Sequence, residues 1–259
     1  PKGSVHLTKT VDDLDTDTDL VDRSDLSKIQ FVLKAKDDIY SPVDGSLMFA
    51  KDEKITTENS GAVVNVGTEI GKGIYALSKD GQLDISNLPM GTGEAKYYFE
   101  EVKTLDGCVL DETKHAFTFK QKDFTTKNYS KELNVENKTT HFNFNKTDVT
   151  GDKEVEGAQL TITDEKGNVI DHWISTDMPH SIEGLVVGKT YTLSETVSAK
   201  DYVKASDIRF TVKNSSELET VTMKDKQVSF TKTDVTGEKE VEGATITVKE
   251  KETGKKKHE

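Results

Sequence analysis

Apolar and polar residues alternate with a period of two through much of this 259-residue chain. Val5, Leu7 and Lys9 share one parity in SVHLTKT, as do Phe142, Phe144 and Lys146 in HFNFNKT and Val228, Phe230 and Lys232 in VSFTKT. Successive side chains of a strand point to opposite faces, so each run predicts a half-buried strand whose inward face ends in a lysine. Two later runs end an inward face in a carboxyl: Tyr97, Phe99 and Glu101 in YYFEEV, and Tyr191, Leu193 and Glu195 in YTLSET. Two more end it in Asn or Asp, with Leu133, Val135 and Asn137 in KELNVENK and Val221, Met223 and Asp225 in ETVTMKDK. The order lysine, glutamate, Asx therefore occurs twice.

The pattern is repetitive on a larger scale. FNFNKTDVTGDKEVEGAQLTITD from Phe142 returns as VSFTKTDVTGEKEVEGATITVKE from Val228, 86 positions later. Self-similarity at a fixed period marks an array of one repeated unit. We expect an all-β chain of tandem immunoglobulin-like β-sandwich domains: residues 1–140 with insertions, a compact unit over 141–227, and 228–259 as the start of a third repeat that stops before supplying its own glutamate or Asx. From lysine to glutamate the first unit spans 92 residues (Lys9 to Glu101) against 49 in the second (Lys146 to Glu195). The excess lies in VDDLDTDTDLVDRSD and KDEKITTENSGAVVNVGTEIGKG, expected as surface insertions with a short helix near Leu20 to Leu26.

An inward lysine without a partner is costly, and burial shifts it toward the neutral, nucleophilic amine while shifting a buried carboxyl toward the neutral acid. The inward Glu and Asx are the partners this sequence offers. Taken singly, such a set equally describes a surface ion pair; its recurrence in the same order and parity favours a common site.

These residues resemble the collagen-adhesin B-type (CnaB) and SpaA-like pilin domains of Gram-positive surface proteins. The likeness is close over 142–227, in KTDVTG, the following EGA, NVIDHWIST, the E-box-like YTLSETVSAKDY and the terminal VTMKD. Over 5–138 it rests on FVLKAKDDIY, GQLDISNLPMG, YYFEEVKTLDGCVLDE and LNVENK. The resemblance implies a spontaneous intramolecular isopeptide bond in each complete unit, Lys9 to Asn137 and Lys146 to Asp225, assisted by Glu101 and Glu195. Asn134 is the nearest rival acceptor and has the wrong parity. Lys232 repeats the nucleophile position but lacks a triad, so a free amine is expected. The resemblance further implies a stalk or pilin-like segment of a cell-wall-anchored adhesin, with neighbouring repeats of the same protein as partners; a ligand-binding module presenting the first unit's insertions to a host extracellular ligand is the alternative.

Composition narrows the remaining choices. With 33% hydrophobic residues the core must be thin, and one cysteine excludes an internal disulfide, so Cys108 reads as packing. A net charge of −12 argues against nucleic acid and anionic membrane as partners. No apolar run reaches transmembrane length, and LPMGTG reads as a turn before a strand. Asp13, Asp15, Asp17 and Asp19 form an acidic alternation that invites calcium, yet glycine and glutamate are missing at EF-hand spacing, so no metal and no cofactor is expected. The six histidines show no ligand spacing and no nucleophilic triad, so self-modification rather than turnover of an external substrate is expected.

Overall fold

A computed structural model describes residues 1–123, 125–249 and 256–258. It is built almost wholly of strands, arranged as two β-sandwiches. In the first, one sheet runs in the order Asn128–Asn137, Lys2–Val11, Gln82–Pro89, Val63–Val66. The facing sheet runs His115–Lys120, Glu94–Lys103, Gln30–Ala35, Ile74–Ala76, Thr68–Gly71. Between them lies an apolar core in which Phe31, Phe99 and Phe119 are fully buried and Tyr97 turns its hydroxyl to the Pro89 carbonyl at 2.6 Å.

The second sandwich is smaller. Its first sheet runs Tyr202–Val203, Leu218–Gln227, His141–Asp148, His180–Glu183, and its second Val169–Ile174, Gln159–Thr163, Thr190–Val197, Ile208–Thr211. Phe142 and Phe144 stack at 5.9 Å and both meet Phe210. The two sandwiches share one device: the opening strand pairs in parallel with the closing strand, Lys2–Val11 with Asn128–Asn137 and His141–Asp148 with Leu218–Gln227. Parallel neighbours need a crossover between them. Here the crossover is the entire intervening domain.

The acidic tract departs from the expectation of a surface insertion. Residues Thr18–Asp19 add a parallel strand to the edge of the second sandwich, against Ile182 and Glu183. Asp13, Asp15, Asp17 and Asp19 are the outward face of this strap, while Leu14, Thr16, Thr18 and Leu20 are turned partly inward. Leu20 packs on the core of the second sandwich and Val21 on that of the first. The expected helix over Leu20 to Leu26 is absent: the chain is irregular there, with Asp19 and Asp22 accepting the N–H groups of Val21 and Ser24, until Asp25 caps a 3-10 turn at Leu26–Lys28. The other insertion supplies strands Val63–Val66 and Thr68–Gly71 and a single helical turn, Thr57–Ser60, closed by a reciprocal Thr56/Asn59 cap.

Backbone contacts close the junction. Thr140 donates its N–H to Gly107 O at 3.0 Å and accepts from Gly184 N at 3.1 Å. Gly107 has φ +85, and a Cβ there would lie 2.5 Å from Gly184 O, so only glycine allows the approach. Glu183 is fully buried at the centre and accepts from Leu14 N at 3.1 Å and Thr139 Oγ1 at 2.7 Å, with Arg23 Nη2 3.5 Å away. Each domain thus satisfies polar groups of the other.

Candidate functional site

In the first sandwich the alternation carries Val5, Leu7 and Lys9 inward, and Lys9 is only 2% exposed. The parallel register sets Lys9 opposite Val135 and Val11 opposite Asn137, so Asn137 lies two residues beyond the lysine's partner, on the same inward face. Glu101 arrives from the facing sheet, where it pairs with Phe31. Lys9 Nζ stands 3.1 Å from Glu101 Oε1 and 5.2 Å from the centre of the Phe31 ring. Glu101 Oε2 accepts the Asp111 N–H at 2.8 Å and Asn137 Nδ2 at 3.2 Å, and Asn137 Nδ2 also donates to Thr104 Oγ1. Burial pulls the Lys9 amine below its ordinary value, against the attraction of Glu101, and pushes the Glu101 carboxyl above its own against the attraction of Lys9.

The second sandwich repeats this geometry. Lys146 faces Met223 and Asp148 faces Asp225, the same offset. Lys146, Glu195 and Asp225 are all buried. Lys146 Nζ lies 3.1 Å from Glu195 Oε1 and hydrogen-bonds Asp225 Oδ1 directly. Glu195 Oε2 accepts the Ala205 N–H at 2.7 Å, and burial raises its carboxyl as it does that of Glu101. Both triads named from sequence are brought together, each with lysine and Asx on neighbouring strands of one sheet and glutamate from the other.

Among the described residues, the buried side-chain atoms lacking a hydrogen-bond partner are Lys9 Nζ, Glu101 Oε1, Asn137 Oδ1, Glu195 Oε1, Asp225 Oδ2 and Asn145 Oδ1. All but the last belong to the two triads. Buried polar groups are otherwise almost always satisfied, and one left unpaired costs about 1–3 kcal/mol. In both sites the glutamate Oε1 meets the lysine as an ion pair at 3.1 Å and makes no hydrogen bond, and in the first site Asn137 Oδ1 is left with no donor at all. A lysine amine held out of water on the strand next to an Asx side chain, and in direct contact with it at Asp225, is a juxtaposition that acyl transfer could use.

The other sequence candidates lie apart. Lys232 is exposed and Phe230 beside it is 55% exposed, although the local turn copies the earlier unit: Val241 N bonds Lys232 O at 2.7 Å as Val155 N bonds Lys146 O at 2.6 Å. Residues 250–255 and 259 of that third stretch lie outside the described residues. Of the acidic alternation, Asp13 and Asp19 approach Glu183 to within 4.8 Å, whereas Asp15 and Asp17 are not in that group. Arg23 reaches Asp19 Oδ2 at 2.6 Å and already supplies the positive charge. Cys108 is free and buried beside the junction, its thiol pushed up to about 11 by burial. His6 and His115 pair with single carboxylates, Asp84 and Asp111, while His180 lies between Asp171 at 2.8 Å and Asp17 at 3.8 Å.

Sequence reasoning missed Thr104, the two backbone donors on the glutamates, and Glu183 with Arg23. A hydroxyl three residues after each glutamate, Thr104 and Ser198, was the available signal for the first.

A sequence model of the SpaA family, described as a prealbumin-like fold domain, matches residues 15–133 and 140–227. No curated protein matches the chain. Among solved structures, the Bacillus anthracis TIE protein is 19% identical with a TM-score of 0.42, over 88% of this chain and 34% of that one, so the present chain spans about a third of its length. The shaft pilin SpaA from Lactobacillus rhamnosus GG is 18% identical over 89% of this chain and 99% of its own, with a TM-score of 0.34. A C-terminal fragment of the pilus adhesin SpaC from Lactobacillus rhamnosus GG is 14% identical over 88% and 98%, with a TM-score of 0.43.

Proposed function

This chain belongs to the SpaA prealbumin-like fold domain family, and on that premise we propose that it is a load-bearing stalk segment of a bacterial surface protein whose two sandwiches lock themselves with amide cross-links, Lys9 to Asn137 and Lys146 to Asp225. The observation that carries the reading is the duplicated triad: in each sandwich a buried lysine amine sits 3.1 Å from a buried glutamate that burial holds toward its neutral form, with an Asx on the adjacent strand.

The chemistry follows from the protonation states. Neutral Lys9 Nζ adds to Asn137 Cγ, the Cγ–Nδ2 bond breaks, and the proton lost by Nζ is relayed through Glu101 to the departing nitrogen, which leaves as ammonia. At the second site Lys146 Nζ adds to Asp225 Cγ, one Cγ–Oδ bond breaks, and that oxygen leaves as water with the proton that Nζ gives up through Glu195. Positioning supplies most of the advantage, since effective molarities of about 10⁵ M or more are attainable when reacting groups are held together. Glutamate ends as it began, and each lysine reacts once. This is self-modification, with no turnover of an external substrate.

A stalk role is favoured over a ligand-binding module by the fate of the insertions. The acidic tract docks on the second sandwich, and the other insertion contributes strands to both sheets of the first. Among the described residues no helix is long and apolar enough to cross a membrane. Placement at the cell surface, sequential attachment to neighbouring repeats, and any host ligand belong to this proposal. Intact mass spectrometry of the folded chain tests it: the expected mass is below that of the sequence by one ammonia and one water, and an unshifted mass in folded protein would overturn it.

A further inference from the structure

Thr104 stands in contact with an atom that leaves in the proposed reaction. Glu101 Oε2 already accepts the Asp111 N–H, so it faces Asn137 as an acceptor and the amide end turned toward it is nitrogen. A primary amide nitrogen carries two hydrogens. One goes to Glu101 Oε2 at 3.2 Å and the other to Thr104 Oγ1, while Asn137 Oδ1 makes no hydrogen bond. Thr104 is half-buried and lines a surface cleft of about 330 Å³ with Leu20, Asp22, Lys28, Lys103 and Asp106.

We infer that Thr104 is the leaving-group residue of the first cross-link: it fixes Asn137 Nδ2 as the departing atom and opens the way by which ammonia escapes. This rests on the reading of the first site as amide-forming. As Lys9 Nζ bonds to Cγ, Nδ2 loses its conjugation and becomes a basic amine. The Thr104 hydroxyl goes on accepting one of the two Nδ2 hydrogens, which holds the nitrogen with its single new lone pair free to take the proton that arrives from Nζ through Glu101. Breaking Cγ–Nδ2 then releases ammonia on the side of the cleft. Threonine is regenerated unchanged, and no other reactant is needed.

The second site supports the assignment by contrast. Ser198 occupies the equivalent position three residues past Glu195, yet Asp225 Oδ2 has no hydrogen-bond partner. A carboxyl group carries at most one hydrogen and so needs at most one acceptor. The demand for a second acceptor exists only where the leaving group is an amide nitrogen.

The test is a time course of intact and domain-resolved mass on chain recovered unfolded and refolded by dilution, with loss of water at the second site as the internal clock. Thr104→Val keeps the shape and removes the hydroxyl; ammonia loss at the first site should slow by about tenfold or more, as expected from losing one buried hydrogen bond on the reacting nitrogen, with the clock unchanged. Thr104→Ser should restore the rate. In an Asn137→Asp background, Thr104→Val should make no difference. Ammonia loss at the wild-type rate in Thr104→Val would overturn the inference, as would equal slowing in Thr104→Ser or in the Asn137→Asp background. A wild-type chain that folds yet never loses ammonia would instead refute the amide-forming reading beneath it.

Discussion

Glu101 accepts the backbone N–H of Asp111 through Oε2 at 2.8 Å, ten residues along the chain, and Glu195 accepts that of Ala205 through Oε2 at 2.7 Å with the same separation. In both sites the backbone holds one carboxyl oxygen and presents the other, Oε1, to the lysine. The donor is a main-chain group, so it fixes orientation whatever side chain occupies that position. The glutamate is thereby prepared to act on the amine and carbonyl without being linked to either.

Glu101→Ala and Glu195→Ala should therefore fold with the corresponding lysine unreacted. In Glu101→Ala the mass should show loss of water alone, and in Glu195→Ala loss of ammonia alone. Domain-resolved peptide mapping reads this directly; loss of both leaving groups from either variant would remove the glutamate from the mechanism.

The rate of cross-linking on refolding should have a plateau in pH with two falling limbs. Reaction needs a neutral amine and a neutral acid, a state that shares one proton with the ion pair, so its population is constant while the pair holds one proton. The acid limb appears when the amine also becomes protonated and the alkaline limb when the acid loses its proton. Burial raises Glu101 from 4.5 and lowers Lys9 from 10.5, and both limbs belong to the coupled pair. A rate rising monotonically with pH would show that only the amine's ionisation matters.

The same shifts govern an unlinkable variant, Asn137→Ala. A raised carboxyl contributes stability below the unfolded value of 4.5 that is lost as pH rises through the folded value. A lowered amine contributes stability above 10.5 that is lost as pH falls through its folded value. Between them both contributions are gone and the buried pair is a burden. The Tm gap between wild type and this variant should be widest near neutral pH, as thermal melts across pH will show.

Linkage should also stabilise through the unfolded chain. Lys146 and Asp225 are 79 residues apart, and closing such a loop by analogy with a disulfide is worth about 4–5 kcal/mol. Lys146→Ala should lower the melting temperature of the second sandwich accordingly. Unchanged melting with the mass shift gone would assign the bond another purpose.

Much of both triads was legible because strand parity is strict. Lys9, Glu101 and Asn137 end apolar faces, and a residue that ends such a face in a thin sandwich is buried with it. What was not legible is what the backbone supplies, such as the Asp111 and Ala205 amides, since every residue but proline offers the same group. The strap was misread for another reason. Asp13, Asp15, Asp17 and Asp19 drew attention as carboxylates, whereas Leu14, Thr16, Thr18 and Leu20 on the opposite parity carried the strand signal. Its pairing partner, Ile182–Glu183, lies in the other domain, so nothing local announced it. Lys232 shows the limit in the other direction: its motif copies that of Lys146, yet among the described residues no strand pairs beside it and the lysine is exposed.

Lys232 should remain a free amine. Peptide mapping should recover it unbranched, and a branched peptide joining it to Asp225 or Asn137 would reveal exchange of strands between molecules.

The junction between the sandwiches has a consequence of its own. A cross-linked domain cannot lengthen between its linked residues, but two such domains joined only by a short connector would still swivel. The strap at Thr18–Asp19 and the Gly107–Gly184 approach span that connector on one side, as a brace spans a knee. What they resist is bending. In the proposed stalk, two sandwiches braced in this way would turn as one unit, so that whatever the stalk carries would be held out at a set distance instead of sweeping the volume around it.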